Sequence, residues 1–377
     1  MDTDNLIIWA WISWITLAER LAKQGESVLI IEKRNHIWWN CYDYYDENWI
    51  LVHKYGPHIF RTNFEDVKNY INEFTNILDY QNKNLQFVDW LFIPFPFNFN
   101  SLYKIFPQWY ANLLESIILK YFKYGERISI LDFNNVINKT TWIDKKHLKF
   151  LADYITEKTY KNYVIKQRGL DINQVDKSIF DRVPINISRD DRAYPNKKYQ
   201  WLPEFWYTKM FEKMLDSKNI SILINTDYKK IINEIKYKRV ICTAPIDEFF
   251  DYKYWILDYK NTLFKFETYD LKSFQEWAVI SYPNDYDFTR ITEMKKFYPK
   301  SIAYNLDRTV ICKEYPLIWE DKAYPVEIKQ NLDILEKYIK ESKKLKNAYF
   351  LWRLANYKYQ DMDLTFKNAL DFFDNLN

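Results

Sequence analysis

The sequence predicts an α/β fold: a discontinuous Rossmann-like nucleotide-binding domain carrying an inserted helical domain and an antiparallel β-sheet domain. Three observations predict it. An apolar strand, a tight-turn spacing and an amphipathic helix open the chain. Buried strand patterns recur near residues 240 and 350. The stretches between them are first helical and then alternate with a period of two.

The opening element is Leu6-Ile7-Ile8, followed by Trp9-Ala10-Trp11-Ile12-Ser13-Trp14 and then Ile15 to Leu21. With glycine in place of the three tryptophans this reads strand, G-x-G-x-x-G turn, helix. A second strand, Val28 to Ile31, ends in Glu32, 18 residues after Trp14. The acidic ribose ligand of a dinucleotide fingerprint stands about 20 residues on. The glycines of that fingerprint serve mechanical ends. They allow the tight turn, close approach to the pyrophosphate and close helix–strand packing. An indole allows none of these.

Composition extends the point. The chain holds 4 Gly and 15 Trp in 377 residues, where a glycine content of about 7% is ordinary. Trp38-Trp39, Trp49, Trp90 and Trp206 also stand where a glycine has a mechanical reason to be. One reading is that many of these are UGA codons, decoded as glycine in the source and as tryptophan in this sequence. The abundance of Lys, Asn, Ile, Tyr and Phe suits an A/T-rich genome, where such reassignment occurs. The alternative is a genuinely Trp-rich chain with a ruined cofactor site.

Further along, residues 50–60 are β-branched and aromatic with a Gly56-Pro57 break, and residues 64–78 and 110–170 carry apolar residues at helical spacing. Residues 91–97 are extended, because Pro94 and Pro96 exclude a helix. Arg239 to Thr243 reads as a buried strand, 255–320 as alternating strands, 327–343 as a charged amphipathic helix, 349–351 as a late strand and 363–377 as a closing helix. The expected division is 1–62 with 200–252 and 340–377 as the nucleotide-binding domain. Residues 63–84 with 99–180 form the helical domain, and 85–98 with 181–199 and 253–339 the antiparallel sheet.

The net charge of +3 is dispersed, which argues against a nucleic-acid partner. No apolar run reaches about 18 residues, so no membrane span is expected. Three Cys without CxxC spacing and four His without HExxH leave no metal site. An odd cysteine count without a signal peptide suggests reduced thiols and a cytoplasmic location.

Several ordered segments carry a resemblance: Ile30-Ile31-Glu32-Lys33-Arg34-Asn35-His36-Ile37-Trp38-Trp39-Asn40, His53 to Phe60, and Tyr199-Gln200-Trp201-Leu202-Pro203. Ala244 to Tyr252, Phe288-Thr289-Arg290-Ile291, Lys313-Glu314-Tyr315-Pro316 and Arg353 to Met362 follow. Together they resemble the UDP-galactopyranose mutase family over nearly the full length. The first of them resembles the family's IEKRxHIGGN, with Trp38-Trp39 at the two glycines.

The resemblance implies FAD, active in reduced form, used without net redox change to interconvert pyranose and furanose forms of a UDP-sugar. It implies a flavin site at Trp9, Trp11, Ser13, Trp14, Glu32, Lys33, Trp39, Asn40, His58, Ile59, Arg353, Tyr359, Asp361 and Met362. Substrate contacts fall on Asn82, Tyr163, Tyr199, Arg290, Tyr315 and Tyr359. Arg290 clamps the diphosphate and is catalytic; the family's second, loop-borne arginine is replaced by Asn186, and Arg189, or alternatively Arg192, is the candidate to substitute for it. The family is commonly a homodimer. The chain departs from the family pattern at Arg168, Asn186, Ala193 and Ser281, which leaves the sugar, and activity itself, open. Two rival readings are a non-catalytic sugar-nucleotide binder or scaffold, and an amine oxidase-like flavoprotein.

Overall fold

The computed structural model describes residues 1–9, 12–37, 39–169, 180, 183–318 and 322–376. Trp11 and Trp38 lie outside the described residues. A five-stranded, all-parallel sheet is assembled from three separate parts of the chain. Its order is Ile220–Leu223, Val28–Ile31, Asp2–Ile8, Lys236–Cys242, Ala348–Phe350. The inner strands carry unbroken apolar runs where both faces are covered, Leu6-Ile7-Ile8, Val28 to Ile31 and Val240-Ile241-Cys242. Leu6, Ile7, Ile8 and Ile30 are fully buried. The helix Ile12–Lys23 packs on the sheet and against the closing helix Met362–Asp374. The edge strand Ile220–Leu223 is only partly buried and has too little apolar pattern to stand out in the sequence.

The second sheet has seven strands, in the order Tyr324–Pro325, Tyr259–Tyr269, Thr309–Ile318, Arg290–Glu293, Val279–Ser281, Asn84–Val88, Leu91–Phe95. Its pairings are antiparallel except that between Val279–Ser281 and Asn84–Val88. A separate three-stranded antiparallel sheet, Phe60–Thr62, Tyr199–Pro203, Ile77–Asp79, packs Phe60, Trp201 and Leu202 into the main core. Helices Gln108–Tyr121, Ile130–Ile137 and Trp142–Ile155 enclose a separate apolar core around Leu114, Phe133, Leu148 and Leu151. Ser129 and Thr141 cap the last two, each accepting from a backbone N–H one turn on.

The backbone makes an unusual demand on tryptophan. Trp9, Trp49, Trp90, Trp206, Trp255 and Trp352 all have positive φ, from 59° to 132°. A bulky residue with positive φ is a genuine outlier. All four glycines also have positive φ.

Candidate active site

The anticipated site residues fall mainly in two regions. The first is the crevice at the carboxyl ends of Asp2–Ile8 and Val28–Ile31, where a doubly wound sheet binds its ligand. A cavity of about 350 Å³ there is lined by Trp9, Lys33, Arg34, Asn35, His36, Lys54 and Tyr55. Glu32 closes the second strand, fully buried, and its Oε1 accepts from the Arg34 N–H at 2.8 Å. Ser13 Oγ, in the first turn of the helix Ile12–Lys23, is buried with no hydrogen-bond partner among the described residues. An orphaned hydroxyl at a helix N-terminus suits a phosphate ligand. Trp9, however, is 7% exposed and lines the same crevice. Trp14 is fully buried. A dinucleotide such as FAD fits the donors around this crevice but not an indole at its mouth, so the chain with tryptophan there does not fit the group.

The second region lies where the seven-stranded and three-stranded sheets meet the segment 353–361. Strand register builds its floor. Glu314, Arg290, Ser281 and Gln86 stand in direct register across four strands, so their side chains share one face. Arg290 Nε lies 2.7 Å from Glu314 Oε1, and Glu314 is 3% exposed. Burial raises the Glu314 carboxyl pKa, with Arg290 pulling the other way. Burial would lower the Arg290 pKa, but Glu314 and Tyr163 hold it above its ordinary value. Gly56 makes this packing possible. A Cβ there would stand 2.8 Å from Phe264 Cε1 and 3.2 Å from Glu314 Oε1, and its φ is +81°.

His58 is the centre of the region. Its Nδ1 bonds the Gly56 carbonyl at 2.9 Å. Burial pushes its pKa down to about 4, and Arg353, Arg290 and Arg61 act in the same direction. Three guanidinium groups therefore lie within electrostatic reach of one neutral imidazole. Arg61 Nη2 pairs with Asp361 Oδ1 at 3.2 Å, and its Cζ stands 3.9 Å over the Tyr194 ring. Arg61 Nε is buried with no hydrogen-bond partner among the described residues. The Arg353 guanidinium covers the rings of Tyr324 at 4.7 Å and Tyr359 at 5.6 Å. Those rings stack at 6.2 Å, and Tyr359 donates to Asp361 at 2.9 Å. Tyr163 lies within electrostatic reach of Arg290, Glu314, Tyr324 and Tyr194.

Of the residues anticipated from sequence, the structure brings together His58, Tyr163, Arg290, Arg353, Tyr359 and Asp361. Met362 packs beside Cys41 at 3.7 Å, Asn40 is buried, and Ile59 packs on the main core. Asn82 is buried, its carbonyl accepting from the Ala193 N–H at 2.8 Å. Three anticipated contacts fall elsewhere. Tyr315 follows Glu314 in the strand, so alternation turns it to the opposite face, against Phe288. Tyr199 donates to Glu65 at the surface and alternates with Gln200, which is the residue in register with Arg61. Arg189 is half exposed and pairs with Glu115 at 2.6 Å, its guanidinium over Tyr103. Arg61, Tyr194, Glu314 and Tyr324 are the site residues that sequence reasoning missed. Only the strand register and the 353–361 loop bring them together.

Among the described residues no group of His, Cys, Asp and Glu forms a metal site, and no helix is long and apolar enough to cross a membrane.

A parallel nucleotide-binding sheet and a mixed sheet that share one apolar core, with a cluster of arginines beside them, define a Rossmann-type nucleotide-dependent enzyme. A family model for UDP-galactopyranose mutase matches residues 158–359, and one for the NAD(P)-binding Rossmann-like domain matches 12–74. The chain belongs to the UDP-galactopyranose mutase family. It is 33% identical to a Klebsiella pneumoniae protein named "Probable UDP-galactopyranose mutase", over 99% of this chain and 95% of that one. It is 29% identical to the UDP-galactopyranose mutase of Mycoplasma pneumoniae, covering 97% and 94%. It is also 30% identical to the dTDP-fucopyranose mutase of Escherichia coli, covering 97% and 96%. The fold matches a crystal structure of reduced UDP-galactopyranose mutase with a TM-score of 0.66 at 14% identity, covering 99% and 95%.

Proposed function

We propose that this protein interconverts the pyranose and furanose forms of UDP-galactose, as an isomerase whose cofactor is reduced FAD. The observation that carries the reading is the cluster of Arg290, Arg61 and Arg353 around His58, each guanidinium fixed by a partner: Glu314, Asp361, and the stacked rings of Tyr324 and Tyr359. A nucleoside diphosphate brings two negative charges, and guanidinium groups bind phosphate oxygens in pairs. Arg290 and Arg61 take the diphosphate from two sides. Glu314 holds the Arg290 guanidinium in orientation, and Asp361 does the same for Arg61. As the bond between sugar and diphosphate breaks, charge builds on the departing phosphate, and fixed cations stabilise that state most. His58 stays neutral, so it adds no competing positive charge and remains a hydrogen-bonding wall. Tyr324, Tyr359 and Tyr163 enclose the sugar and exclude water. Arg61 replaces Arg189 as the second diphosphate cation. The flavin side is assigned to Ser13, Glu32, Lys33, Asn40, Ile59, Arg353 and Met362.

The reading is tested by incubating UDP-galactofuranose with protein carrying glycine at positions 9, 11, 14, 38 and 39, under dithionite, and separating the products by chromatography. UDP-galactopyranose is the expected product. Turnover of dTDP-fucose with none of UDP-galactose would overturn the nucleotide and sugar assignment. No turnover of either by flavin-loaded protein would overturn the mutase reading.

A further inference from the structure

We propose that Trp9, Trp49, Trp90, Trp206, Trp255 and Trp352 are glycine in the polypeptide that the source cells make, the codon at each being UGA read as glycine. The inference rests on backbone geometry and does not depend on the mutase reading.

Side-chain size is controlled within the molecule itself. Six of the 12 described tryptophans have positive φ, against two of the 32 tyrosines and none of the 26 phenylalanines. The three side chains are alike in bulk and aromaticity, so steric preference alone gives no reason for tryptophan to differ. The remaining non-glycine residues with positive φ are three Asp and one Asn, the types that tolerate this region.

At four of the six positions the local setting asks for glycine on its own terms. Asp89-Trp90 is the two-residue loop joining the paired strands Asn84–Val88 and Leu91–Phe95, with φ of 47° and 66°. Two positive φ values in a two-residue hairpin are the type I′ pattern, whose preferred pair is Asp-Gly or Asn-Gly. Trp49 closes the hairpin between Asp43–Tyr45 and Leu51–His53, where Asp46 and Ile50 pair through the Asp46 N–H. That leaves a three-residue loop whose last position has φ 59°, the place a glycine takes in such loops. Trp255 has φ 132°, far outside the small left-handed region that other residues visit. Trp9 has φ 67° at the end of the first strand, where the fingerprint turn begins.

Burial supports the same conclusion at the three exposed positions. Trp49, Trp90 and Trp255 are 76%, 86% and 70% exposed. A buried tryptophan is held by the large apolar area it removes from water, and these three gain little of it. The misfit of the cofactor crevice has the same cause, because Trp9 is one of the six.

Two measurements decide the matter. The first is peptide mass spectrometry of the protein from its own cells, together with the codons at the six positions. Glycine masses and UGA codons are expected, whereas tryptophan masses or UGG codons overturn the proposal. The second uses the tryptophan-bearing protein. Replacing Trp49 and Trp90 together by glycine is expected to raise Tm by about 2–4 °C, because strain is relieved and little packing is lost. Trp109→Gly is the control. Trp109 is equally exposed but lies inside the helix Gln108–Tyr121, where glycine lowers Tm. An unchanged or lower Tm for the Trp49→Gly/Trp90→Gly pair would show that the backbone does not require glycine there.

Discussion

Arg290 and Glu314 face each other in direct register on adjacent antiparallel strands, Nε to Oε1 at 2.7 Å, with the carboxylate almost wholly withdrawn from water. Removing one partner of a buried ion pair leaves the other uncompensated, at a cost of about 3–5 kcal/mol. Arg290→Ala is therefore expected to lower kcat by about 10²–10³, the loss typical of one electrostatic group at a reacting centre. Lys should rescue only partly, having no planar fork. Glu314→Gln keeps the shape, and it is expected to lower kcat more than it raises KM, because Arg290 binds but points less well. Steady-state kinetics on the three variants check this. A kcat within twofold of the parent for Arg290→Ala would reduce the pair to a structural ion pair.

Arg61 and Arg189 make opposite predictions. Arg61 is half-buried, its guanidinium over Tyr194 and paired with Asp361, in the same cluster as His58. Arg189 is paired at the surface with Glu115. Arg61→Ala should raise KM for the UDP-sugar and lower kcat/KM by about tenfold or more, the scale of one lost charge-assisted hydrogen bond. Arg189→Ala should change kcat/KM less than twofold. The reverse ranking would return the second cation to residue 189.

Gly56→Ala tests the close approach beneath His58. The added Cβ meets Phe264 at 2.8 Å with φ at +81°, so strain and overpacking combine. A loss of about 2–4 kcal/mol in urea unfolding is expected, with loss of turnover. Stability within about 0.5 kcal/mol of the parent, the scatter of neutral surface changes, would show that the turn relaxes freely.

His53 is 1% exposed and packs among the rings of Tyr207, Phe297 and Tyr298. Burial lowers its pKa to about 3, with His58 acting in the same direction. The unfolded chain then binds a proton between about pH 6.5 and 3 that the folded chain refuses, so stability is full above 6.5 and falls as the pH drops. Asp43, its neighbour across the hairpin, has a pKa raised by burial to about 6. Its contribution therefore has the opposite sign, fading as pH rises from about 3.8 to 6. His53→Phe isolates the histidine. Its urea midpoint should fall less between pH 6.5 and 5 than the parent's, by about 2 kcal/mol in stability. Parallel pH curves for the two proteins would mean that His53 titrates alike in the folded and unfolded chain.

Much of this was readable in the chain. The parallel sheet was legible because its inner strands are continuous apolar runs, and the long helices because their apolar spacing is regular. The nucleotide crevice was legible even through its tryptophans, since Glu32 and the strand–helix–strand order survive. The cation cluster was less so. Arg61 lies in a three-residue strand where its register partner, Gln200, is 139 residues away, and nothing local distinguishes it from a solvated arginine. Tyr315 and Tyr324 look alike in sequence. Only the register of Arg290 with Glu314 turns Tyr315 to the far face, while the edge strand Tyr324–Pro325 brings Tyr324 beneath Arg353. Arg189 was a plausible cation by position alone, and its pairing with Glu115 depends on how the helix Gln108–Tyr121 packs.

The central claim is that glycine at the crevice makes this chain a reduced-flavin mutase, and one measurement addresses it directly. The chain with glycine at 9, 11, 14, 38 and 39 and the chain with tryptophan there are purified side by side, loaded with FAD, and assayed on UDP-galactofuranose with and without dithionite. A stoichiometric flavin spectrum and turnover are predicted for the glycine form only, with turnover only when the flavin is reduced. A full flavin spectrum from the tryptophan form, or equal turnover by oxidised and reduced protein, would contradict the claim.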